Sequence, residues 1–309
     1  MTDRECKDRH RDSNRPSPRY WDTFLDTPPD EVDPDNARAV LVPVPYDSTT
    51  SWKAGARHGP KAIIDASPHL EDYDLELGRD ISRVGIHTEP SIEPHFGAPE
   101  AMIGRVEAVV AGLASSDRLI GLLGGEHTIA IGAVKAFKKL YNDLSVLYLD
   151  AHADLRDEYM GTKWGHASVA RRLSSICQLA AIGVRSISET EHAYAKEAKI
   201  PIAFWPNPQG DIDDVVSLVL KSLSTHVYVS IDLDVFDPSL MSAVGTPEPG
   251  GMGWSEVTRI VRKVAEERQV VGFDVSELSP QEGPSACAYT AAKLTYKLIG
   301  YATESDSQD

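Results

Sequence analysis

The sequence predicts an α/β fold with a largely parallel sheet covered on both faces, built as one domain. Three observations carry this. Short apolar runs without helical periodicity alternate with helix-patterned segments along the chain. The runs are nearly continuous in Val, Ile and Leu, the pattern of strands buried on both faces. No repeat of fixed period is visible, and no Pro/Ser linker divides the chain after Tyr20. The 309 residues would suit two average domains or one large α/β domain, and the unbroken alternation favours one.

Taken in order, residues 1–18 are polar, charged and proline-containing, with nothing to bury, and read as a disordered or loosely docked arm before a domain spanning 19–302. Ala39 to Val42 is the first core strand. The Gly-, Ser- and Thr-rich stretch VPYDSTTSWKAGARHGPKAII leads into a helix near Gly59 and Pro60. It holds no GxGxxG or GxxxxGK[ST] pattern, which argues against nucleotide binding. Residues 99–114 space Met102, Val106, Val109, Val110 and Leu113 at helical intervals. Leu119 to Leu123 is a second strand, Gly124-Gly125 a tight turn, and a helix starts at Thr128. Val146 to Leu149 is the next buried strand. A helix at Val169 to Leu173, a strand at Leu179 to Gly183, a helix at Glu189 to Ala198 and a strand in IPIAFW follow. Ile212 to Leu223 is helical by spacing, Val227 to Ile231 and Gln269 to Val275 are strands, and Ala286 to Gly300 closes as a helix. Residues 303–309 read as a frayed acidic tail.

Composition narrows the function. A hydrophobic content of 41% with 25% charged residues is that of a water-soluble globular chain. No run reaches membrane-spanning length and the N-terminus lacks a signal-type apolar segment, so a cytoplasmic location is expected. The net charge of −16 disfavours nucleic acid and anionic membranes as partners and mildly favours a cationic substrate. Cys6, Cys177 and Cys287 are too widely spaced for a disulfide framework or a cysteine zinc site.

Chemistry concentrates after the strands. SVLYLDAHAD delivers Asp150, His152 and Asp154 at alternate positions, which would share one face if the extended backbone persists. His127 follows the Gly-Gly turn, and the Val227 to Ile231 strand delivers Asp232 and Asp234. Taken singly, each could be a polar turn. Together they make two imidazoles and four carboxylates at strand ends, the edge where open α/β sheets bind ligands. Such an oxygen-rich set exceeds one tetrahedral zinc and suits two divalent ions with bridging carboxylates. Four negative charges would then meet four positive ones, allowing burial near neutrality. The hard donor set favours manganese.

These residues carry a resemblance. GGEHT, DAHAD, SIDLDVFDPS, GTPEPGG and GFDVSELSP, with PYDSTTSWKAGARHGPKAI before them, resemble the ureohydrolase family of arginase, agmatinase and their relatives. The resemblance spans Val40 to the last helix. It implies the three-layer α/β/α arginase-like fold, two Mn2+ ions per subunit, and hydrolysis of a guanidino group by a metal-bridging hydroxide. It assigns His127, Asp150, His152, Asp154, Asp232 and Asp234 as metal ligands. It makes Asp154 also a hydrogen-bond acceptor for the hydroxide, His166 a proton shuttle or general acid, and Glu277 the carboxylate that fixes the guanidinium. A homo-oligomer, trimer or hexamer, is implied as well.

The loop between Asp154 and His166, LRDEYMGTKWG, lacks the Asn and Ser groups with which arginases bind an amino acid. Its Asp157 and Glu158 would repel a carboxylate and attract a second cation. It is similar to the loop of an agmatinase branch, so agmatine, cleaved to putrescine and urea for polyamine biosynthesis, is the expected substrate. Arginine, an aminopropylated agmatine or a guanidino acid are the alternatives within the class. A non-catalytic metal-binding subunit is the alternative outside it. IHTEPSIEP stands where many agmatinases carry Asp-x-Gly-Asp.

Overall fold

The computed structural model describes residues 21–28, 31–206 and 211–304. The expected N-terminal arm, with Cys6, lies outside these residues, as do 305–309 of the expected tail. Of that tail Thr303 is buried, its hydroxyl donating to the Ile299 carbonyl at 2.8 Å. The strands are β1 (Ala39–Val44), β2 (Tyr73–Asp74), β3 (Arg79–Asp80), β4 (Ile86–Thr88), β5 (Leu119–Gly124), β6 (Ser145–Leu149), β7 (Gln178–Val184), β8 (Ile202–Phe204), β9 (His226–Asp232) and β10 (Gln269–Ser276). The α-helices are α1 (Gly59–Ala66), α2 (Pro99–Leu113), α3 (Ile129–Leu140), α4 (Val169–Ser174), α5 (Glu189–Glu197), α6 (Ile212–Ser222), α7 (Trp254–Glu267) and α8 (Ala286–Ala302).

Among the described residues, eight strands form one sheet in the order β4-β1-β5-β10-β9-β6-β7-β8, every pairing parallel. Side chains alternate between the faces, as a period of two requires. Val40, Val42, Val146 and Tyr148 pack with Met102, Val134, Val169 and Ala195 of α2 to α5. Leu41, Leu147 and Leu149 pack on the other face with Ile63, Val215, Val257 and Leu294 of α1, α6, α7 and α8. Both faces are therefore apolar and covered, which is why the strands read as continuous hydrophobic runs. The expected three-layer α/β/α architecture in a single domain is the one observed.

Chain order explains where a cleft forms. From β5 the chain jumps to β6 and runs outward through β7 and β8, then returns to insert β9 and β10 between β6 and β5. Connections leave on opposite sides of this region, opening a crevice at the carboxyl ends of the strands.

Short elements depend on distant partners. The β2–β3 hairpin has two residues per strand and is held by α8. Lys297 Nζ, almost fully buried, lies 2.8 Å from Asp74 Oδ1 and 2.5 Å from Glu76 Oε2. Burial alone would raise the Glu76 carboxyl, but bonds from Lys297, Tyr301 and Arg262 outweigh it and hold it at about 2. A folded pKa below the unfolded one gives stability that is complete above the ordinary carboxylate range and is lost as pH falls toward 2. Lys297→Met leaves the buried Asp74 with only Lys293, 3.9 Å away, so a melting scan at neutral pH is expected to fall by roughly 5–15 °C. An unchanged melting point would show that the hairpin is held otherwise.

Candidate active site

Four neighbouring strands, β5, β10, β9 and β6, end at the crevice and carry the polar residues. After β5, Gly125 N–H donates to the Val44 carbonyl and Glu126 N–H to that of Tyr46, at 2.9 and 2.7 Å. A Cβ on Gly125 would stand 2.0 Å from the Tyr46 oxygen, so only glycine permits this approach. The turn presses His127 to zero exposure at the floor of the crevice.

The His127 ring has two distinct edges. Nδ1 lies 3.2 Å from Asp150 Oδ2 and 3.4 Å from Asp232 Oδ2. Nε2 lies 2.8 Å from Ser230 Oγ, which donates to Asp274 Oδ2 at 2.8 Å. A proton on Nε2 satisfies this relay and leaves the Nδ1 lone pair directed at the carboxylates, the arrangement that orients a metal-binding imidazole. The Tyr148 ring stacks on His127 with centroids 4.7 Å apart.

His152 forms the second focus. Its Nδ1 lies 2.9 Å from Asp234 Oδ2 and 3.6 Å from Asp150 Oδ1. The other Asp234 oxygen accepts from Ala151 N–H at 3.0 Å, and Asp232 Oδ1 accepts from Asp234 N–H at 2.9 Å, so each carboxylate has one oxygen held and one free to ligate. Donor atoms of His127, Asp150 and Asp232 all lie within 4.8 Å of one another, as do those of Asp150, His152 and Asp234. Asp150 belongs to both groups, one oxygen facing each. Two ions sharing that carboxylate fit these residues.

The expected row of alternating ligands holds only in part. β6 ends at Leu149, and pairing with the β7 side continues through Asp150 N–H to the Ile182 carbonyl and a bridge of His152 with Ser186. Asp154 then turns to φ 49°, and Glu277, after β10, to φ 69°. The left-handed region costs a non-glycine residue roughly 1–3 kcal/mol, a strain that collects at functional sites. The turn sends Asp154 Oδ2 to the Tyr148 hydroxyl, which donates to it at 2.8 Å. Asp154 therefore lines the cleft beside the two ligand groups, without belonging to either.

Electrostatics follow from crowding. Burial, then the neighbouring Asp150 charge, pushes Asp154 well above the usual carboxylate range. Burial, Asp234 and Asp150 do the same to Asp232. Burial works against charge on His127, but hydrogen bonds that the protonated ring donates to Asp150 and Asp232 overcome it and raise the imidazole. His152 is likewise raised by Asp234 and Asp150 against burial. The protein alone thus keeps protons on groups that must lose them to ligate. Divalent metal binding is expected to release protons, with affinity rising from pH 6 to 8. Titration calorimetry in two buffers of different ionisation enthalpy would detect this, and equal heats would contradict it.

His166 and Glu277 flank the ligands differently. His166 opens a short 3-10 turn, and its buried Nε2 has no partner among the described residues. Burial and then the His152 charge hold its pKa at about 4, so the imidazole is neutral at pH 7. Glu277 Oε1 accepts from His127 N–H at 2.7 Å, while burial and then Glu126 raise the carboxyl to about 8. The cleft, about 280 Å3, is lined by His152, Asp154, His166, Asp232 and Asp234, together with Arg156, Tyr159 and the buried Glu191. A larger hollow of about 700 Å3 lies at the opposite edge of the sheet, lined by Arg38, Leu119 and Arg268, and contains none of these residues.

Two aspects differ from expectation. Asp157 and Glu158 do not line the cleft. Asp157 is exposed and tied to the Arg172 guanidinium of α4, and Arg156 enters the lining instead, stacked 4.7 Å over the Tyr159 ring and 4.0 Å from Glu191 Oε2. Arg185 is a contributor the sequence reading passed over. Its guanidinium donates to the carbonyls of Asp234 and Glu248, both at 2.7 Å, and to those of Gly183, Val235 and Phe236. It staples the Asp234 segment to the 245–251 loop, and only its place at the end of β7 hinted at this.

A parallel sheet in a three-layer α/β/α fold, with two candidate ligand groups sharing one carboxylate at its carboxyl edge, defines a class, the α/β/α proteins equipped to hold a pair of divalent ions. Comparison narrows the class. A profile of the Arginase family matches residues 37–300. The chain is 37% identical over 278 residues to the N(1)-aminopropylagmatine ureohydrolase of Synechocystis, covering 87% of this chain and 90% of that one. It is 36% identical to the agmatinase of Pyrococcus horikoshii, covering 91% and 96%. The crystal structure of agmatine ureohydrolase of Thermoplasma volcanium superposes with a TM-score of 0.81 at 32% identity, over 89% of this chain and 93% of that one. The chain belongs to the arginase family and is a hydrolase acting on guanidino groups.

Proposed function

We propose that the chain hydrolyses agmatine to putrescine and urea at a two-manganese centre held by His127, Asp150, His152, Asp154, Asp232 and Asp234. The observation that carries this reading is the sharing of Asp150 between two ligand groups beneath a cleft that also holds an unpartnered His166 nitrogen. A guanidinium carbon is a poor electrophile and neutral water a poor nucleophile. Bound metal ions supply the chemistry that water lacks, lowering its pKa and stabilising developing negative charge.

The chain's own residues do the rest. Asp154 lies beside both ligand groups and would join them once metal uptake displaces the proton that crowding keeps on it. It then accepts the proton of the attacking water. Tyr148 holds its Oδ2, so the free oxygen is the one that turns to the substrate side. Glu277 takes the guanidinium as a charge-assisted pair and orients its carbon. The guanidinium's charge offsets the repulsion from Glu126 that raises this carboxyl. His166, neutral at pH 7, takes up at Nε2 the proton that Asp154 received from the water and passes it to the departing amine.

Putrescine is the leaving amine if the substrate tail is a four-carbon chain ending in a primary ammonium; an aminopropyl extension would leave a longer amine instead. Repulsion of a carboxylate cannot rest on Asp157, which Arg172 occupies, and falls to the net charge of −16. A guanidino acid is the second reading, favoured by Arg156 in the cleft lining. Urea release from agmatine, aminopropylagmatine, arginine and a guanidino acid, side by side with manganese, separates these. Agmatine is expected to give the highest kcat/KM. Preference for a carboxylate substrate would reverse the reading and assign the tail to Arg156.

A further inference from the structure

The loop after β1 reaches the cleft through a clasp that the ligand set leaves unexplained. Its base is fixed by Asp47, almost fully buried, whose Oδ2 accepts from Gly55 N–H at 2.7 Å and Arg57 N–H at 3.1 Å. Two residues on, Thr49 N–H donates to Glu126 Oε2 at 2.7 Å and Thr49 Oγ1 donates to Glu126 Oε1 at 2.8 Å. Glu126 has zero exposure, so a fully buried carboxylate is spent on one residue of a loop. That is a costly group to retain unless its orientation is used.

The hydroxyl's single proton explains the use. A hydroxyl has one donor and two lone pairs. With its proton drawn to Glu126, Thr49 Oγ1 presents a lone pair to His166 N–H, which donates to it at 3.0 Å. Gly165 eases the approach, since a Cβ there would stand 3.2 Å from the same oxygen and Thr49 would have to give way by a few tenths of an ångström. An unoriented hydroxyl would face His166 N–H with its hydrogen part of the time and lose the bond. The same turn carries His127, whose N–H holds Glu277. Residues 125–127 therefore set three groups of the site from one rigid segment.

We propose that Thr49 and Glu126 are positioning residues that fix His166 at the cleft, Glu126 by orienting the Thr49 hydroxyl and Thr49 by accepting the His166 backbone N–H. This rests on the reading of His166 as the proton donor. Thr49→Val removes both functions of the hydroxyl at nearly constant volume, and Thr49→Ser retains them. Misplacing a catalytic group by a fraction of an ångström to 1 Å lowers turnover by up to about 100-fold.

The test is urea release by the manganese-loaded protein, with metal content and melting point measured on each variant. Thr49→Val is expected to lose roughly 10- to 100-fold in kcat with KM changed less than about threefold and metal retained. Thr49→Ser is expected to regain most of that loss, and His166→Asn to lose at least as much as Thr49→Val. Wild-type kcat in Thr49→Val beside an impaired His166→Asn would overturn the proposal, as would equal losses in the Ser and Val variants. Wild-type turnover in His166→Asn would overturn the His166 reading and this inference with it. Should Thr49→Val not fold, Thr49→Ala carries the same expectations without added bulk.

Discussion

Asp234→Asn lowers urea release by roughly 10²- to 10⁴-fold and leaves the protein folded with about one ion fewer per chain. The substitution is nearly isosteric, and an asparagine oxygen still accepts the Ala151 N–H that Asp234 Oδ1 accepts now. What changes is the other end of the side chain. Asp234 Oδ2, 2.9 Å from His152 Nδ1, is the carboxylate oxygen that completes the group of Asp150 and His152. An amide nitrogen there has no lone pair to donate and no charge to offset a cation. His127, Asp150 and Asp232 are untouched, so one ion is retained. Elemental analysis beside the urea assay separates this from unfolding, and full turnover with both ions retained would remove Asp234 from the ligand set.

Glu277→Gln is expected to act without metal loss. Its Oε1 contact with His127 N–H survives as an amide acceptor, so the His127 turn stays in place. What is lost is the anion that would face the guanidinium. Truncating one member of a buried charge pair costs about 2–5 kcal/mol, so kcat/KM should fall roughly 30- to several-thousand-fold. The strained φ of 69° at Glu277 is unaffected, because glutamine has the same backbone preferences. Loss of an ion in Glu277→Gln would instead make it a structural support of the His127 ligand group.

Much of this architecture was legible because burial on both faces leaves a plain signature. β1, β5, β6, β7, β9 and β10 are short, largely apolar runs built around Val, Ile, Leu and Ala, and each was readable from composition and length. α7 was equally written in the chain, with Val257, Ile260, Val261 and Val264 buried at helical spacing, though the reading assigned no element there. The β2–β3 hairpin was not readable. Its two-residue strands depend on Lys297, more than two hundred residues away in sequence.

The candidate ligands were visible for a simple physical reason, since polar residues immediately after an apolar strand must stand at the sheet edge. Directions were harder. Asp154 leaves the extended path because Arg171 N–H binds its carbonyl and Leu155 N–H binds Glu191 Oε1, contacts from α4 and α5 that no local pattern encodes. Asp157 was misjudged for the same reason, its partner Arg172 lying on α4. Tyr148 looked like one more core residue of β6, yet its hydroxyl joins His127 and Asp154. A tyrosine within an aliphatic strand is a usable signal, because a buried phenol needs a polar partner.

The most direct test of the central claim is urea release from agmatine by chelator-stripped protein, measured as manganese is added back in known equivalents. Two ligand groups sharing Asp150 predict that full activity requires close to two ions per chain and that activity stays low near one. Full activity at one equivalent, or urea release undiminished by stripping, would contradict the two-ion account of this site.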